Sequence, residues 1–312
     1  MRDQKCLVVG GHGFIGQHLV KRLCALGADV VVLSPKSSES ITGYDYRYFK
    51  ADIEQMDSFE SFNEISFNYV YNLAGYIDHS PFFKTGRDVI NNHYIGLLNL
   101  LQCLDRSNLK SFVQIGSSDE YGGLDAPQVE TMREAPISPY SVAKCHATQM
   151  IQMLAKTESF PGTVLRFFLV YGPCQNNKRF LPQLIQGCLE DNAFPTSKGN
   201  QQRDFCYVDD VIDAILLASN RSEAIGEVIN IGSGSPITIK EMIQKVQYLV
   251  GSGTPLFGEF PDRKGENPSL YANIDKAKRI LDWAPKISLE DGLKKTITFY
   301  RDVLRNNKEI LL

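Results

Sequence analysis

Tyr140 and Lys144 stand four residues apart in a helically patterned stretch, which puts both side chains on one face. A free phenol titrates at about 10, too high for acid–base work near neutrality, and an adjacent ammonium favours the phenolate. A hydroxyl at the end of a neighbouring strand then completes a set able to move a proton on and off a reacting oxygen. Ser117 and Ser118, which follow the expected strand Phe112 to Ile115, are placed for this.

A second chemical feature lies near the start of the chain, where an apolar run ends in Val9-Gly10-Gly11-His12-Gly13-Phe14-Ile15-Gly16. Gly11, Gly13 and Gly16 fit G-x-G-x-x-G, and Gly10, Gly13 and Gly16 equally fit G-x-x-G-x-x-G. Either spacing gives a tight turn, an open approach for a pyrophosphate to backbone N–H groups, and close packing of helix on strand. The next expected strand ends at Ser34, followed by Pro35 and Lys36, with no carboxylate before Glu39. An acid there would bind a ribose 2′-hydroxyl. Ser34 and Lys36 suit a 2′-phosphate instead, so the expected cofactor is NADP, with NAD as the alternative.

The elements that must hold these groups alternate. Strands are expected at Lys5 to Val9, Val30 to Leu33, Tyr46 to Lys50, Tyr69 to Leu73, Phe112 to Ile115 and Thr163 to Phe168, with helices at Phe14 to Leu26, Val89 to Leu104 and Tyr140 to Ala155. Continuous apolar strands separated by helices predict an α/β fold, a doubly wound Rossmann-type parallel sheet covered on both faces. Beyond Gly172-Pro173 the alternation loosens. The expected division is a dinucleotide-binding domain over 1–172, rejoined at about 208–232, and a smaller substrate-binding lobe over 173–312.

Composition sets bounds on function. With 43% hydrophobic and 22% charged residues over 312, the chain is globular rather than disordered. A net charge of −3 without a long basic run argues against nucleic acid as the main partner. No apolar run is long enough to span a membrane, and the first residues do not read as a signal peptide. The seven cysteines form no C-x-x-C pair and are expected as free thiols in a cytoplasmic protein, and the five histidines form no H-x-x-x-H pair, so no metal site is expected.

With these motifs in place, the whole chain resembles the extended short-chain dehydrogenase/reductase family, in its nucleotide-sugar epimerase/dehydratase branch. The resemblance is carried by GGHGFIG at 10–16, Asp52-Ile53, NLAG at 72–75, GSSDEYG at 116–122, PYSVAK at 139–144, LRFFLVYGP at 165–173, QRDFCYVDD at 202–210 and INIGSG at 229–234. It implies Tyr140 as acid–base, Lys144 as its activator and a nicotinamide-ribose ligand, and Ser117 as the catalytic hydroxyl. It also implies cofactor contacts at Gly10, Gly13, Phe14, Ile15, Gly16, Asp52, Ile53, Ala74 and Gly75. Arg203 and Arg263 resemble the arginines that clamp a nucleotide-sugar diphosphate, and the family pairs its long helices into a homodimer through a four-helix bundle.

Departures from the family pattern bear on the reaction. Ser118 and Asp119 occupy the substrate-side places where 4,6-dehydratases carry Asp and Glu, so the pair Asp119-Glu120 is out of register for dehydration. Leu169 stands where epimerases usually have Asn, and with Gln175 it is closer to sugar 4-ketoreductases. His93 replaces the family's common Asn. The expected function is an NADPH-dependent reductase of a nucleotide-linked 4-keto-6-deoxy sugar. The alternative is a nucleotide-sugar epimerase with bound NAD(P). A non-catalytic NADP sensor is disfavoured because the Tyr/Lys pair is kept.

Overall fold

The structure, a computed structural model, describes residues 1–35, 41–62, 65–261 and 267–310. Six early strands are β1 (Lys5–Val9), β2 (Asp29–Ser34), β3 (Arg47–Lys50), β4 (Tyr69–Asn72), β5 (Ser111–Ser117) and β6 (Gly162–Phe167). With the later strand Val228–Ile231 they make one seven-stranded sheet in the order β3-β2-β1-β4-β5-β6-(Val228–Ile231). Every pairing in it is parallel. Strand order reverses between β1 and β4, and in such sheets that point opens a crevice at the carboxyl ends of the strands.

Side-chain alternation along the strands divides the core into two faces. Leu7, Val9, Val31, Leu33, Val70 and Phe112 face Leu97, Leu100, Ala147 and Ile151. Cys6, Val8, Val30, Val32, Tyr71 and Val113 face Leu19, Val20 and Leu23 of the helix Phe14–Ala25 and Val211, Ile212 and Ile215 of the helix Val208–Ser219. Each such side chain contributes about 1.5–3 kcal/mol by leaving water, which is why strands this apolar sit in the middle layer.

The second half adds a small sheet centred on the strand Gln202–Tyr207, paired with Leu169–Tyr171, Pro236–Thr238 and Ser269–Leu270. Among the described residues no helix is long and apolar enough to cross a membrane.

One expected element differs. In place of a plain helix over Val89 to Leu104, the chain is helical from Phe82 to Cys103 and alternates π turns (Phe82–Gly86, Asn91–Ile95) with α turns (Arg87–Ile90, Gly96–Cys103). Two close approaches fix it. A Cβ on Gly86 would come 2.6 Å from Pro139 Cγ, and one on Gly96 would come 2.6 Å from Ile53 Cδ1. The π turn at Asn91–Ile95 carries His93, which is buried. The outer face of the helix Pro139–Glu158 is mostly polar, with His146, Gln149, Gln152 and Lys156 exposed beside Met153.

The glycine turn takes the first-strand role at Gly10, whose φ is +77° and whose N–H donates to Leu33 O at 2.7 Å. A Cβ on Gly16 would lie 2.3 Å from Gly10 O, so the helix can pack this closely only through glycine. Gly16→Val is therefore expected to destabilise the protein by about 1–3 kcal/mol, read as a lowered urea midpoint, and to abolish dinucleotide binding in a titration.

Candidate functional site

The helix Pro139–Glu158 begins on a reciprocal cap: Ser141 N–H donates to Ser138 Oγ (3.1 Å) and Ser138 N–H donates to Ser141 Oγ (2.9 Å), with Pro139 in the first turn. Tyr140 follows, and both it and Lys144 are 5% exposed. Ser117, the last residue of β5, is 8% exposed, and its hydroxyl is near enough to the Tyr140 phenol to favour its ionised form. Lys144 Nζ donates to Ile115 O at 2.9 Å and lies 5.9 Å from the centre of the Tyr140 ring.

The electrostatics differ from the sequence expectation. Burial, and then Asp119, push the Tyr140 phenol above its ordinary value; Ser117 and Arg179 pull the other way. Burial brings Lys144 down to about 8 against the upward pull of Glu120. An ammonium this desolvated and engaged with a carbonyl does not by itself make the phenol acidic, and the protein alone keeps Tyr140 protonated.

Asp119 and Glu120, adjacent in sequence, part company in space. Glu120 is fully buried. Its Oε1 accepts from Ser117 N–H at 2.8 Å, and its Oε2 accepts from Thr148 Oγ1 at 2.8 Å and Arg166 Nε at 2.9 Å. Arg166, also fully buried, donates to Glu134 and lies 4.8 Å from the Tyr121 ring centre. Glu120 is thus a structural group that fixes the turn Ser118–Tyr121, and buried Ser118 belongs to that turn. Asp119 points the other way and accepts from His79 Nε2 at 2.7 Å.

Two histidine rings meet Tyr140 edge-on, His93 at 5.1 Å and His79 at 5.5 Å between centres. His93 Nε2 donates to Tyr76 O at 2.8 Å, and burial, with Lys144 near, drives its pKa down to about 3. A Cβ on Gly75 would lie 2.0 Å from His93 Cε1, so this ring fits only against glycine. His93 was noted in the sequence only as a departure, and His79 carried no motif; its partner is forty residues away.

The remaining candidates fall in two groups. Gly10 packs on the backbone of Leu73 and Ala74, so the glycine turn and the end of β4 share one crevice with Gly75. Asp52 Oδ1 accepts from Glu54 N–H at 3.0 Å, and Ile53 is buried against Gly96. Ser34 closes β2 and is 3% exposed, which leaves little of it for a 2′-phosphate. Arg203 stands on the small sheet, where its Nη1 donates to Gln202 O at 2.7 Å. Lys36 and Arg263 lie outside the described residues. A dinucleotide fits the crevice: Gly13, at the helix N-terminus, has no side chain to cover the first-turn N–H groups around Phe14 and Ile15.

A parallel sheet with this glycine turn after its first strand, and a Ser–Tyr–Lys set gathered at the ends of later elements, defines a dinucleotide-dependent oxidoreductase of the extended short-chain type. Residues 6–232 match the model of the NAD dependent epimerase/dehydratase family, and the chain belongs to that family. It is 26% identical to the UDP-glucuronate 4-epimerase of Thermodesulfobacterium geofontis, over 97% of this chain and 98% of the relative. The solved UDP-glucose 4-epimerase of Thermotoga maritima with UDP-glucose is 30% identical, with TM-score 0.89 over 96% of this chain and 99% of that one. The UDP-glucuronic acid 4-epimerase of Bacillus cereus, in complex with UDP-glucuronic acid and NAD, is 28% identical, with TM-score 0.85 over the same shares.

Two measurements check the site's internal supports. Glu120→Gln leaves buried Arg166 with Glu134 as its remaining carboxylate partner and weakens the contacts to Ser117 N–H and Thr148, and is expected to cost about 1–3 kcal/mol in urea denaturation. His93 is neutral in the fold down to about pH 3, whereas the unfolded chain takes up its proton near 6.5. The unfolded state binds more protons between those values, so this residue's contribution to stability falls as pH drops from 6.5 toward 3. In His93→Asn the dependence of stability on pH across that window should be shallower than in the wild type.

Proposed function

We propose that the chain is a nucleotide-sugar 4-epimerase acting on a UDP-hexose or UDP-hexuronate, with NAD retained between turnovers. The observation that carries this reading is the gathering of Ser117, Tyr140 and Lys144 around one crevice with the glycine turn. The 4-epimerases among the similar proteins support epimerisation over the ketoreductase expected from Leu169 and Gln175. Buried Ser34 supports NAD over the expected NADP.

The dinucleotide, when bound, supplies a hydride acceptor and donor for carbon 4 of the sugar. Tyr140, as the phenolate that the positive charge of an oxidised nicotinamide beside it would favour, takes the proton of the 4-hydroxyl as the carbon is oxidised and returns it as the carbon is reduced on the opposite face. Ser117 donates a hydrogen bond to that oxygen, which steadies it as it gains carbonyl character. Lys144 balances the charge of the phenolate.

Residues 1–172 and about 208–232 would hold the dinucleotide, through Gly10, Gly13, Phe14, Ile15, Gly16, Asp52, Ile53, Ala74 and Gly75. The 173–312 lobe would hold the nucleotide, with Arg203 and Arg263 on the diphosphate. The partly apolar outer surface at Phe83, Ile95 and Met153 supports a homodimer through paired helices, and a monomer in light scattering at micromolar concentration would refute that.

Purified protein is expected to release NAD on denaturation and to interconvert UDP-glucuronate or UDP-glucose with its C4 epimer, with no net change in NADPH absorbance. Tyr140→Phe should lower turnover by roughly 10²- to 10⁴-fold while leaving UDP-sugar binding near the wild-type value. Stoichiometric NADPH consumption with a 4-keto sugar nucleotide would instead establish the reductase.

A further inference from the structure

Inversion at carbon 4 needs one proton-transfer group on the sugar, and Tyr140 provides it. The crevice holds a second one. His79 lies edge-on to Tyr140 with 5.5 Å between ring centres, and its Nε2 is 2.7 Å from Asp119 Oδ2. Their side chains are 27% and 30% exposed, unlike the sealed His93, so the pair borders the open side of the phenol.

Both partners are held in place. Asp119 N–H donates to Ser117 Oγ at 3.2 Å, which fixes the backbone that carries the carboxylate beside the Ser117 hydroxyl. On the other side, Asp78 accepts from Ser80 N–H (2.8 Å) and Thr85 Oγ1 (3.0 Å), pinning the loop that carries His79. An imidazole that donates Nε2–H to a carboxylate has Nδ1 as a proton acceptor, with its tautomer and orientation fixed by the carboxylate. This is a general base with its orienting group.

We propose that the His79–Asp119 couple is a second acid–base pair of the crevice, acting on the carbon next to a 4-keto group of the bound sugar. Hydrogen on such a carbon is acidic because its bonding electrons can pass into the carbonyl. The C–H bond breaks, its proton goes to His79 Nδ1, and its electron pair forms the carbon–carbon double bond of an enolate. Tyr140 and Ser117 hydrogen-bond the enolate oxygen. Return of the proton to carbon restores the ketone, so the step is balanced without oxidant or reductant. Its signature is exchange of the carbon-bound hydrogen with water, the proton returning to the same face from His79. The inference rests on the crevice taking a sugar nucleotide, as proposed above.

The test supplies the ketone directly, so that it does not depend on hydride transfer. Protein is incubated with UDP-4-keto-6-deoxyglucose in D₂O, and deuterium at carbons 3 and 5 is followed by NMR against a protein-free control. Wild type should accelerate incorporation at one of these carbons at least tenfold over the control. His79→Gln and Asp119→Asn should each lower the protein-dependent rate at least tenfold, with thermal melts and UDP binding confirming that the variants are folded. No acceleration by wild type, or wild-type exchange in His79→Gln, would overturn the proposal. C4 inversion of UDP-glucuronate, measured separately, reports on the epimerase reading alone. Inversion without ketone exchange removes only the second acid–base pair, and exchange without inversion removes only the epimerase.

Discussion

A single buried ion pair organises the reactive end of this sheet. Arg166 on β6 and Glu120 in the turn after β5 are both fully removed from water. Burying two charges costs several kcal/mol per ion, and the surroundings offset this with hydrogen bonds to every polar atom of the pair except Arg166 Nη1. Ser117 N–H and Thr148 take the other contacts of Glu120, Glu134 takes a second edge of Arg166, and the Tyr121 ring covers the guanidinium. Four separate segments are drawn to one point. Ser117 is fixed by the same carboxylate that anchors the helix bearing Tyr140 and Lys144, so their mutual geometry follows from this pair more than from any direct bond among them.

The electrostatic state of the site follows from the same enclosure. Desolvation raises the phenol, lowers the ammonium and keeps His93 neutral, all in the direction of fewer charges. A pocket prepared in this way is poised for proton exchange with a ligand rather than for standing ionisation.

Much of the fold was legible in the sequence because its determinants are local. The strand Lys5–Val9 and the helix Phe14–Ala25 form where they were expected, and the strand Val228–Ile231 pairs with β6 within the stretch expected to rejoin the sheet. The glycine turn and the Tyr140–Lys144 spacing are likewise local. What escaped depends on contacts between distant segments: the His79–Asp119 couple, the inward turn of His93 on a π turn packed against Gly75, and the split between Asp119 and Glu120. The NADP expectation leaned on Ser34 with Lys36 and the ketoreductase expectation on Leu169 with Gln175, a few side chains whose surroundings a sequence does not display.

The place of Val228–Ile231 at the sheet edge also bears on biosynthesis. The first six strands are complete at Phe167, yet the strand that covers β6 begins at Val228, 61 residues later (228 − 167). At roughly 5–20 residues per second, the nascent chain would leave β6 uncovered for about 3–12 s. During that interval an apolar strand with unpaired N–H and C=O groups along one edge faces solvent or a chaperone, an open template for pairing with another chain. Arg166 lies on this strand, so Arg166 and Glu120 are both synthesised before β6 has its second neighbour. Synthesis rate across residues 168–227 thus becomes a variable in how much of this protein reaches its native state.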